Sequence, residues 1–369
     1  MKEGWEYKKL GEVATVSHGK NQKEVEDIHG EYPIYGSGGN IMGYANSYLC
    51  ESGTTILGRK GTINNPLYIE TKFWNVDTAF GITAKDGNSK KYIYYFVKSQ
   101  DWSKKDTGTT LPSLTQKVVK ETIIPVPPLS EQQRIVSYLD ATFAKIDAVA
   151  KNAEEALNEA KALFQSALTK MMEPKEGWEY KKLGEVCQKT INIKWDEHPN
   201  HQYKYIDLSA VDRMTHKVMS TTSICSIDAP SRAKQIVNEG DVLFATTRPT
   251  LKRLVIIDKS LDGQICSTGF CVLRPTPAAI MSSWLYYALS NQSFYNYIEP
   301  LQKGASYPAV TDNQVKSYKI PVPPLSDQRH IVSYLDVFKS KVDQLQSNLT
   351  RTLSECAALK QSILRQTFE

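Results

Sequence analysis

The sequence predicts an α+β chain, with mixed α/β halves, in which two globular domains alternate with two long helices. The segment Lys2–Val13 recurs letter for letter at Lys175–Val186. A proline motif, Ile-Pro-Val-Pro-Pro-Leu-Ser, begins at Ile124 and again at Ile320, and each copy precedes a long stretch without Gly or Pro. Short β-branched runs occur in the rest of each half. These observations predict a tandem repeat with pseudo-two-fold character.

The repeats define the expected domain boundaries. We expect a first globular domain over residues 1–124, a first helix over 125–174, a second domain over 175–320 and a second helix over 321–369. Inside the domains the likeness fades early and returns only where Gly108–Thr115 aligns with Gly304–Thr311. Similar frames around dissimilar interiors indicate one scaffold that carries two different binding surfaces.

Each interior shows short strands followed by one aromatic helix. The β-branched runs between Gly, Asp or Asn predict strands at Thr54–Leu57, Leu67–Glu70, Val242–Phe244, Leu254–Ile257 and Phe270–Leu273. Helices are predicted over Lys91–Ser99 and Ala279–Leu289. Both helices are rich in aromatic side chains, which we expect to be buried.

Each long helix is expected to start at the serine that ends its proline motif. Proline lacks an N–H and restricts the residue before it, so a helix does not run through the motif. Ser130 and Ser326 are suitable N-caps because a serine oxygen accepts a free N–H of the first turn. Gln133 completes a capping box in the first copy, whereas the second copy has Arg329 there.

Apolar residues repeat along both helices at alternating steps of three and four, a spacing that is typically buried against another helix. We therefore expect the two helices to pack on each other as a coiled coil. Two unrelated surface helices are the poorer interpretation, because the letters IVSYLD recur at Ile135 and Ile331. The expected seam comprises Phe143, Ile146, Leu157 and Phe164 of the first helix and Leu335, Phe338, Val342, Leu345 and Leu349 of the second.

Composition and charge exclude several protein classes. Hydrophobic residues make up 41% and charged residues 23%, which is ordinary for a folded soluble domain. No apolar run approaches the length of a membrane span, and we expect no signal peptide. The six cysteines form no CxxC pair, which favours free thiols in a reducing cytoplasm. The net charge of +5 is compatible with a polyanionic partner.

Four patterns resemble catalytic or metal-binding motifs but are incomplete. The glycine-rich residues 35–40 lack the lysine and helix of a phosphate loop, and Asn65–Tyr68 resembles an amino-methyltransferase loop without a cofactor loop to accompany it. His198 and His201 lack a third metal ligand. The Glu70-Thr71-Lys72 triplet lacks the Pro-Asp of a nuclease site. A turn or an exposed loop is the simpler interpretation of each.

Two basic loops are better candidates for a binding site. Arg59, Lys60 and Gly61 directly follow the strand predicted at Thr54–Leu57. Arg248, Lys252 and Arg253 follow the equivalent strand of the second half. Glycines allow the backbone to approach a phosphate, and arginine can hydrogen-bond a guanine edge through two N–H groups. The alternative is a pair of exposed basic loops without a ligand.

Taken together, these motifs resemble the specificity subunit of type I restriction–modification systems. The resemblance covers essentially the whole chain. It is carried by Trp5–Glu12, Tyr32–Gly39, Ile56–Gly61, Gly240–Phe244 with Arg248-Pro249, Ser267–Phe270 and both proline motifs.

The resemblance implies both function and partners. It implies that each globular half is a target-recognition domain for one half of a bipartite, asymmetric sequence in double-stranded DNA. It implies that the helices pack antiparallel and hold the two domains a fixed distance apart. Two modification subunits would supply S-adenosylmethionine-dependent adenine-N6 methylation, and restriction subunits would supply ATP-driven translocation and cleavage with Mg. The specificity subunit would then hold no cofactor, catalyse nothing and contact no membrane.

The resemblance also implies DNA contacts beyond the basic loops. In the first half the carried-over positions are Thr109, Thr110 and Ser113. In the second half they are Ser306 and Tyr307, where Gly304-Ala-Ser-Tyr replaces Gly108-Thr-Thr-Leu.

Two other functions remain open from the sequence. A self-contained methyltransferase or nuclease would need a cofactor loop or catalytic cluster, and it would bind S-adenosylmethionine as the isolated chain. A coiled-coil adaptor without a DNA role would show no DNA retention at low salt.

Overall fold

The computed structural model describes residues 4–369, which divide into two compact units. Unit 1 comprises the chain up to Glu155 together with Leu349–Glu369, and unit 2 comprises Ala156–Asn348. Lys2 and Glu3, the first residues of the repeated segment, lie outside the described residues. Both units contain parts of both long helices, so neither unit is one continuous half of the chain with its own helix.

The described first half of the chain contains short strands, three short α-helices and the 3₁₀ helix Trp102–Lys105 before its long helix. The elements are β1 (Glu6–Lys9), α1 (Leu10–Val13), β2 (Ala14–His18), β3 (Tyr32–Tyr35), β4 (Ile41–Ala45), β5 (Thr54–Gly58), β6 (Leu67–Ile69), β7 (Trp74–Asn75), β8 (Ala79–Ala84), α2 (Lys90–Ser99), α3 (Gln116–Glu121), β9 (Ile123–Val126) and α4 (Leu129–Met171).

Two sheets and a strand pair organise unit 1. Strands β2, β8, β5 and β6 form an antiparallel sheet in that order. In the smaller sheet β3 lies between β4, which is antiparallel to it, and β7, which is parallel. Strand β1 pairs with β9, so the start of the domain is joined to the proline motif that precedes α4.

The second half repeats this order with additional elements. They are β10 (Glu179–Lys182), α5 (Leu183–Val186), β11 (Cys187–Gln188), β12 (Tyr203–Ile206), β13 (Thr222–Ile224), β14 (Ala233–Ile236), β15 (Val242–Ala245), β16 (Leu254–Ile256), β17 (Ile265–Ser267), β18 (Phe270–Pro275), α6 (Ser282–Ser290), α7 (Gln292–Ile298), α8 (Asp312–Lys316), β19 (Lys319–Val322) and α9 (Leu325–Phe368).

The strand pairings of unit 1 recur in unit 2. Strands β11, β18, β15 and β16 form the antiparallel sheet, and β12 lies between antiparallel β13 and parallel β17. Strand β10 pairs with β19 in the register of β1 with β9: Tyr7 lies opposite Pro125, and Tyr180 lies opposite Pro321. Strand β14 is added to the smaller sheet of unit 2. The predicted strands and the tandem repeat are confirmed.

Each aromatic helix lies in the core of its unit. In unit 1, Tyr92 and Phe96 of α2 are buried against Phe368 at the end of α9. In unit 2, Trp284 and Tyr287 of α6 are buried in the core. The predicted burial of these aromatic residues is confirmed.

The two long helices run antiparallel in unit 1 and pack on each other in unit 2. Helix α4 has 43 residues and α9 has 44. In unit 1, Thr367 lines the same cleft as Ile135, while Lys360, earlier in α9, forms an ion pair with Asp147, later in α4. The corresponding packing in unit 2 involves the C-terminal part of α4 and the N-terminal part of α9. The order in which residues of the two helices meet in unit 1 thus agrees with the antiparallel pair that the resemblance implies.

Most of the predicted seam residues are buried or half-buried. Phe164 packs edge-on against Phe338 with ring centroids 5.7 Å apart, and Phe143, Ile146, Leu335 and Val342 are buried, with Leu157 and Leu349 half-buried. Leu345 is the exception, since 39% of it is exposed. A straight helix has 3.6 residues per turn, so the step of four from Val342 to the half-buried Gln346 follows the packed face better than the step of three.

The N-cap positions predicted for the two long helices are wrong. Helix α4 begins at Leu129, because the carbonyl of Pro128 accepts the N–H groups of Glu131 and Gln132. The carbonyl of Pro324 does the same for α9. A proline lacks its own N–H but keeps its carbonyl, so it can stand just before a helix. Ser130 and Ser326 therefore lie inside the first turn, and Gln133 forms no capping box with Ser130.

Candidate nucleic-acid interface

The first basic loop leaves the sheet of unit 1 at the end of β5. Arg59 is half-buried and Lys60 is exposed. The backbone N–H of Arg59 donates to the carbonyl of Thr78 at 2.8 Å, and its guanidinium Nη1 donates to the carbonyl of Asp77 at 3.0 Å. Gly61 has φ +79°, a left-handed conformation that favours glycine. The loop is thus ordered by backbone contacts, and Lys60 is left facing solvent.

A second loop of unit 1, residues 107–114, is closed by the carboxylate of Asp106. This carboxylate accepts the N–H groups of Gly108 at 2.8 Å and Ser113 at 2.7 Å, which lower the pKa of Asp106. A Cβ on Gly108 would lie 1.9 Å from the carbonyl oxygen of Leu111, so only glycine fits the turn. The side chains between Gly108 and Ser113 are exposed, and Leu111 is 65% exposed.

The two loops of unit 1 are joined edge to edge. The N–H of Gly61 donates to the carbonyl of Pro112 at 2.9 Å, and the N–H of Leu114 donates to the carbonyl of Arg59 at 2.9 Å. Lys60 and Ser113 form a β-bridge between these bonds. The cations therefore share one surface with the loop that bears the exposed hydroxyls of Thr109 and Thr110.

Unit 2 joins its equivalent loops in the same way. The N–H of Arg248 donates to the carbonyl of Pro308 at 2.6 Å, and the N–H of Val310 donates to the carbonyl of Thr246 at 2.9 Å. The guanidinium of Arg248 donates to the carbonyl of Ser306 at 3.1 Å and lies 4.7 Å from the ring centre of Tyr307. Tyr307 is 69% exposed. Arg248 and Tyr307 together present a planar, positively charged surface to solvent.

Two of the three basic residues in this loop have a strained backbone. Arg248 and Lys252 have φ values of 51° and 56° and flank the 3₁₀ turn Pro249–Leu251. A left-handed conformation costs a non-glycine residue about 1–2 kcal/mol, so such residues are often functional. Arg253 has a different environment: it is half-buried, and its Nε donates to the carbonyl of Val211 at 3.2 Å. Arg248 and Lys252 are thus the more accessible cations.

Sequence reasoning missed the buried glutamines that anchor each domain to its long helix. Gln328, with no exposed surface, accepts the N–H of Met281 at 2.9 Å and donates to the carbonyls of Ala279 and Pro323. These bonds explain why α6 starts at Ser282, later than predicted. Gln132 makes the equivalent bonds to Ser89 and Pro127. Gln132 and Gln328 lie at the same distance from the start of their proline motifs, and this repeat in the sequence could have identified them.

A second set of anchors lies on the aromatic helices. The hydroxyl of Tyr287 donates to Asp336 at 2.6 Å, and Tyr95 makes the equivalent bond to Asp140. The indole of Trp284 donates to the carbonyl of Pro321 at 2.9 Å, where Tyr92 bonds Pro125. The recurrence of IVSYLD, which contains both aspartates, could have identified the first pair.

The incomplete motifs occupy ordinary structural positions. The glycine-rich segment makes a tight turn, in which the N–H of Gly36 donates to the carbonyl of Asn40 at 3.1 Å. His201 packs on the ring of Tyr203, and Lys72 donates to the hydroxyl of Tyr48. Tyr68 packs against Tyr94 of α2. Residues 4–369 contain no group of three or more His, Cys, Asp or Glu that could hold a metal ion.

The cysteines and the helices give two further findings. All six cysteines are free thiols, and burial raises the pKa of Cys50 to about 11 and that of Cys187 to about 12. Burial thus favours the protonated form of the Cys50 and Cys187 thiols, which is the less reactive form. Within the described part of the chain, no helix is long and apolar enough to cross a bilayer.

Comparisons with known proteins agree with the repeat. A family model described as the type I restriction modification DNA specificity domain matches residues 2–159 and again residues 175–354. The chain is 20% identical to the type I restriction enzyme EcoDI specificity subunit of Escherichia coli, over 99% of this chain and 88% of that protein. It is 24% identical to the type I restriction enzyme MjaVIII specificity subunit of Methanocaldococcus jannaschii, over 90% and 85%.

The fold also matches a solved structure. A chain from a study of complex assembly and conformational transition of the type I R-M system aligns with a TM-score of 0.75 at 23% identity, covering all of this chain and 98% of the other. This likeness confirms the predicted fold class, which combines tandem mixed α/β domains with two long helices.

Proposed function

Because the chain belongs to the type I restriction–modification DNA specificity family, we propose that each of its two domains reads one half of a bipartite, asymmetric DNA site. Residues 1–124 and 175–320 are the proposed target-recognition domains, and residues 125–174 and 321–369 form the helical part between them. The two interiors differ in sequence and in strand content, so the two half-sites should differ as well.

The observation that carries the proposal is the loop pairing repeated in both units. In each unit a basic loop at the end of the central sheet strand is hydrogen-bonded to an exposed loop that precedes a short helix. One unit presents Arg59 and Lys60 there, and the other presents Arg248 and Lys252. Two equivalent cationic surfaces on one duplicated scaffold are what a reader of two half-sites requires.

The chemistry of these loops suits two kinds of DNA contact. Lysine side chains neutralise phosphates and provide affinity that falls with salt. Arginine can read the O6 and N7 atoms of guanine, while hydroxyls contact bases or phosphates. We assign base contacts to Arg59 and Arg248, phosphate contacts to Lys60 and Lys252, and supporting contacts to the paired loops through Thr109, Thr110, Ser113, Ser306 and Tyr307. Arg253 remains a candidate for a phosphate contact, although its Nε donates to the carbonyl of Val211.

The partners follow from the proposed role. Two modification subunits would dock on the helical part and carry S-adenosylmethionine, and restriction or translocase subunits would carry ATP and Mg. The chain itself would act without a cofactor and without catalysing a reaction. Its contribution would be to place those subunits on a defined DNA sequence in the cytoplasm.

The test is the methylated motif of cells that express the chain with its modification subunits. Single-molecule sequencing should show adenine methylation at a two-part motif with an unread spacer, and the motif should vanish when this chain alone is deleted. Methylation at one uninterrupted motif, or methylation that persists without the chain, would contradict the proposal.

A further inference from the structure

A second possible binding site lies in unit 2 and shares Lys252 with the basic loop. A cavity of about 300 Å³ is bounded by the C-terminal part of α4, the loop after β15, helices α6 and α7, and the N-terminal part of α9. This volume is at the lower end of small-molecule sites. Of its lining residues, only Lys252 has a role in the proposed DNA contacts.

The cavity is rich in positive charge. Lys161, Arg213, Lys252 and Lys339 line it together with His216, whereas Asp343 is the acidic residue in its lining. Asp343 already forms an ion pair with Lys339 at 2.8 Å. The remaining cations therefore have no acidic partner in the lining, and the cavity should attract an anion.

Two buried polar atoms in the lining have no hydrogen-bond partner among the described residues. Tyr295 is 3% exposed, and its buried hydroxyl has no hydrogen-bond partner among the described residues. The same holds for the side-chain oxygen of Gln165, whose amide can turn either end towards the cavity. A buried polar atom without a partner is costly, and such an atom calls for an unseen ligand or water.

The backbone supports the same site. Three non-glycine residues in the described part of the chain have positive φ, namely His216, Arg248 and Lys252. Two of them, His216 and Lys252, line this cavity. The ammonium of Lys252 lies 4.6 Å from the ring centre of Tyr295 and donates to the side-chain oxygen of Gln292 at 3.2 Å, so this cation is held over the ring that bears the unpartnered hydroxyl.

We propose that this cavity binds a phosphate group, with the hydroxyl of Tyr295 as a donor and Arg213 and Lys252 as its charged partners. Tyrosine and lysine or arginine side chains suit a phosphoryl oxygen because they donate hydrogen bonds and supply positive charge. The phosphate can belong to a free nucleotide or to the DNA backbone beside the Arg248 loop. The site itself does not require the proposed base recognition.

The test compares three variants of the full-length chain. Tyr295→Phe removes only the unpartnered hydroxyl, Arg213→Gln removes an exposed cation of the lining, and Arg329→Gln removes an exposed arginine of α9 that does not line the cavity. Pyrophosphate is titrated by calorimetry at constant ionic strength. A duplex of about 30 base pairs is titrated by fluorescence anisotropy at several salt concentrations.

We expect wild type and Arg329→Gln to bind pyrophosphate at one site, and Arg213→Gln and Tyr295→Phe to bind it at least about fivefold more weakly. Without ligand, Tyr295→Phe should melt at or above the wild-type temperature, because it removes an unsatisfied polar group. If the ligand is a backbone phosphate, Arg213→Gln should also reduce the salt slope of duplex binding by about 0.9. If pyrophosphate binding changes and the salt slope of duplex binding does not, the ligand of the cavity is a free anion.

If neither the pyrophosphate titration nor the duplex salt slope separates these variants from Arg329→Gln, the cavity is not a phosphate site. That outcome leaves the recognition proposal intact, because the methylated motif is measured separately. Conversely, loss of the two-part motif in cells would not bear on pyrophosphate binding by the isolated chain.

Discussion

Replacing Arg248 with glycine or with alanine should separate the contribution of this side chain to folding from its contribution to DNA binding. The residue is exposed, has φ 51° and bonds the carbonyl of Ser306. Glycine adopts this backbone conformation freely, whereas alanine does not. Both substitutions remove the guanidinium, so they should weaken DNA binding equally and differ in stability.

The magnitudes follow from these contacts. Relief of the left-handed strain is worth about 1–2 kcal/mol. The greater freedom of glycine in the unfolded chain costs about 0.5–1 kcal/mol, and loss of the Ser306 hydrogen bond costs about 0.5–1.5 kcal/mol. Arg248→Gly should therefore unfold within about 1 kcal/mol of wild type, and Arg248→Ala should be about 1 kcal/mol less stable than Arg248→Gly.

DNA binding should change by much more. Loss of a two-bond guanine contact costs about 1–3 kcal/mol, which is roughly a 5- to 150-fold increase in Kd. Binding is measured by anisotropy on the complex assembled with modification subunits, using the methylated motif and a duplex with one altered base. Stability is measured from urea unfolding. Unchanged affinity and unchanged base preference in both variants would remove Arg248 from the interface.

Three further predictions concern other parts of the chain. Exchanging residues 14–107 for the matching span of another family member should change one half of the methylated motif and leave the other; a change in both halves by sequencing would contradict the assignment of one half-site to one domain. Gln328→Leu or Gln132→Leu should lower the unfolding free energy by about 3 kcal/mol or more, because buried backbone groups lose their partners; exposed Gln133→Leu is the control, and equal urea midpoints would refute this role. Burial lowers the pKa of His216 below 6.5, so stability contributed by its neutral form is present above pH 6.5 and is lost as the pH falls. The loss of melting temperature between pH 7.5 and about 5.5 should be smaller in His216→Asn, which tolerates the positive φ, and an identical loss would refute the linkage.

The regular parts of the fold were predictable because they depend on local patterns. Strands such as Thr54–Gly58 and Val242–Ala245 are short runs rich in strand-forming residues, with clear ends. The helices were predictable in length from their period, although their first turns were not. The start at Leu129 depends on Pro128 and on the buried Gln132, which bonds both Pro127 and Ser89, a residue just before α2.

The candidate interface was predictable only as separate pieces. The sequence identified the basic loops and the GTTLP and GASYP segments, but it gave no reason to join them. Their pairing depends on backbone bonds between residues far apart in the chain, such as Gly61 with Pro112. The left-handed backbone of Arg248 and the unpartnered hydroxyl of Tyr295 depend on tertiary packing, which single-residue propensities do not describe.

Each long helix is divided between the two units, which has a consequence for synthesis on the ribosome. The core of unit 1 includes Leu364 and Phe368, which are made after the whole of unit 2. Roughly 200 residues separate the first stretch of unit 1 from this closing stretch, which is about 10–40 s at 5–20 residues per second. During that interval Leu139 and Phe143 lack their α9 neighbours, so the nascent first domain exposes an apolar strip that a chaperone or a partner subunit could cover. Unit 2, by contrast, has all its residues once Asn348 emerges. The unit whose synthesis begins first is thus the unit that is completed last.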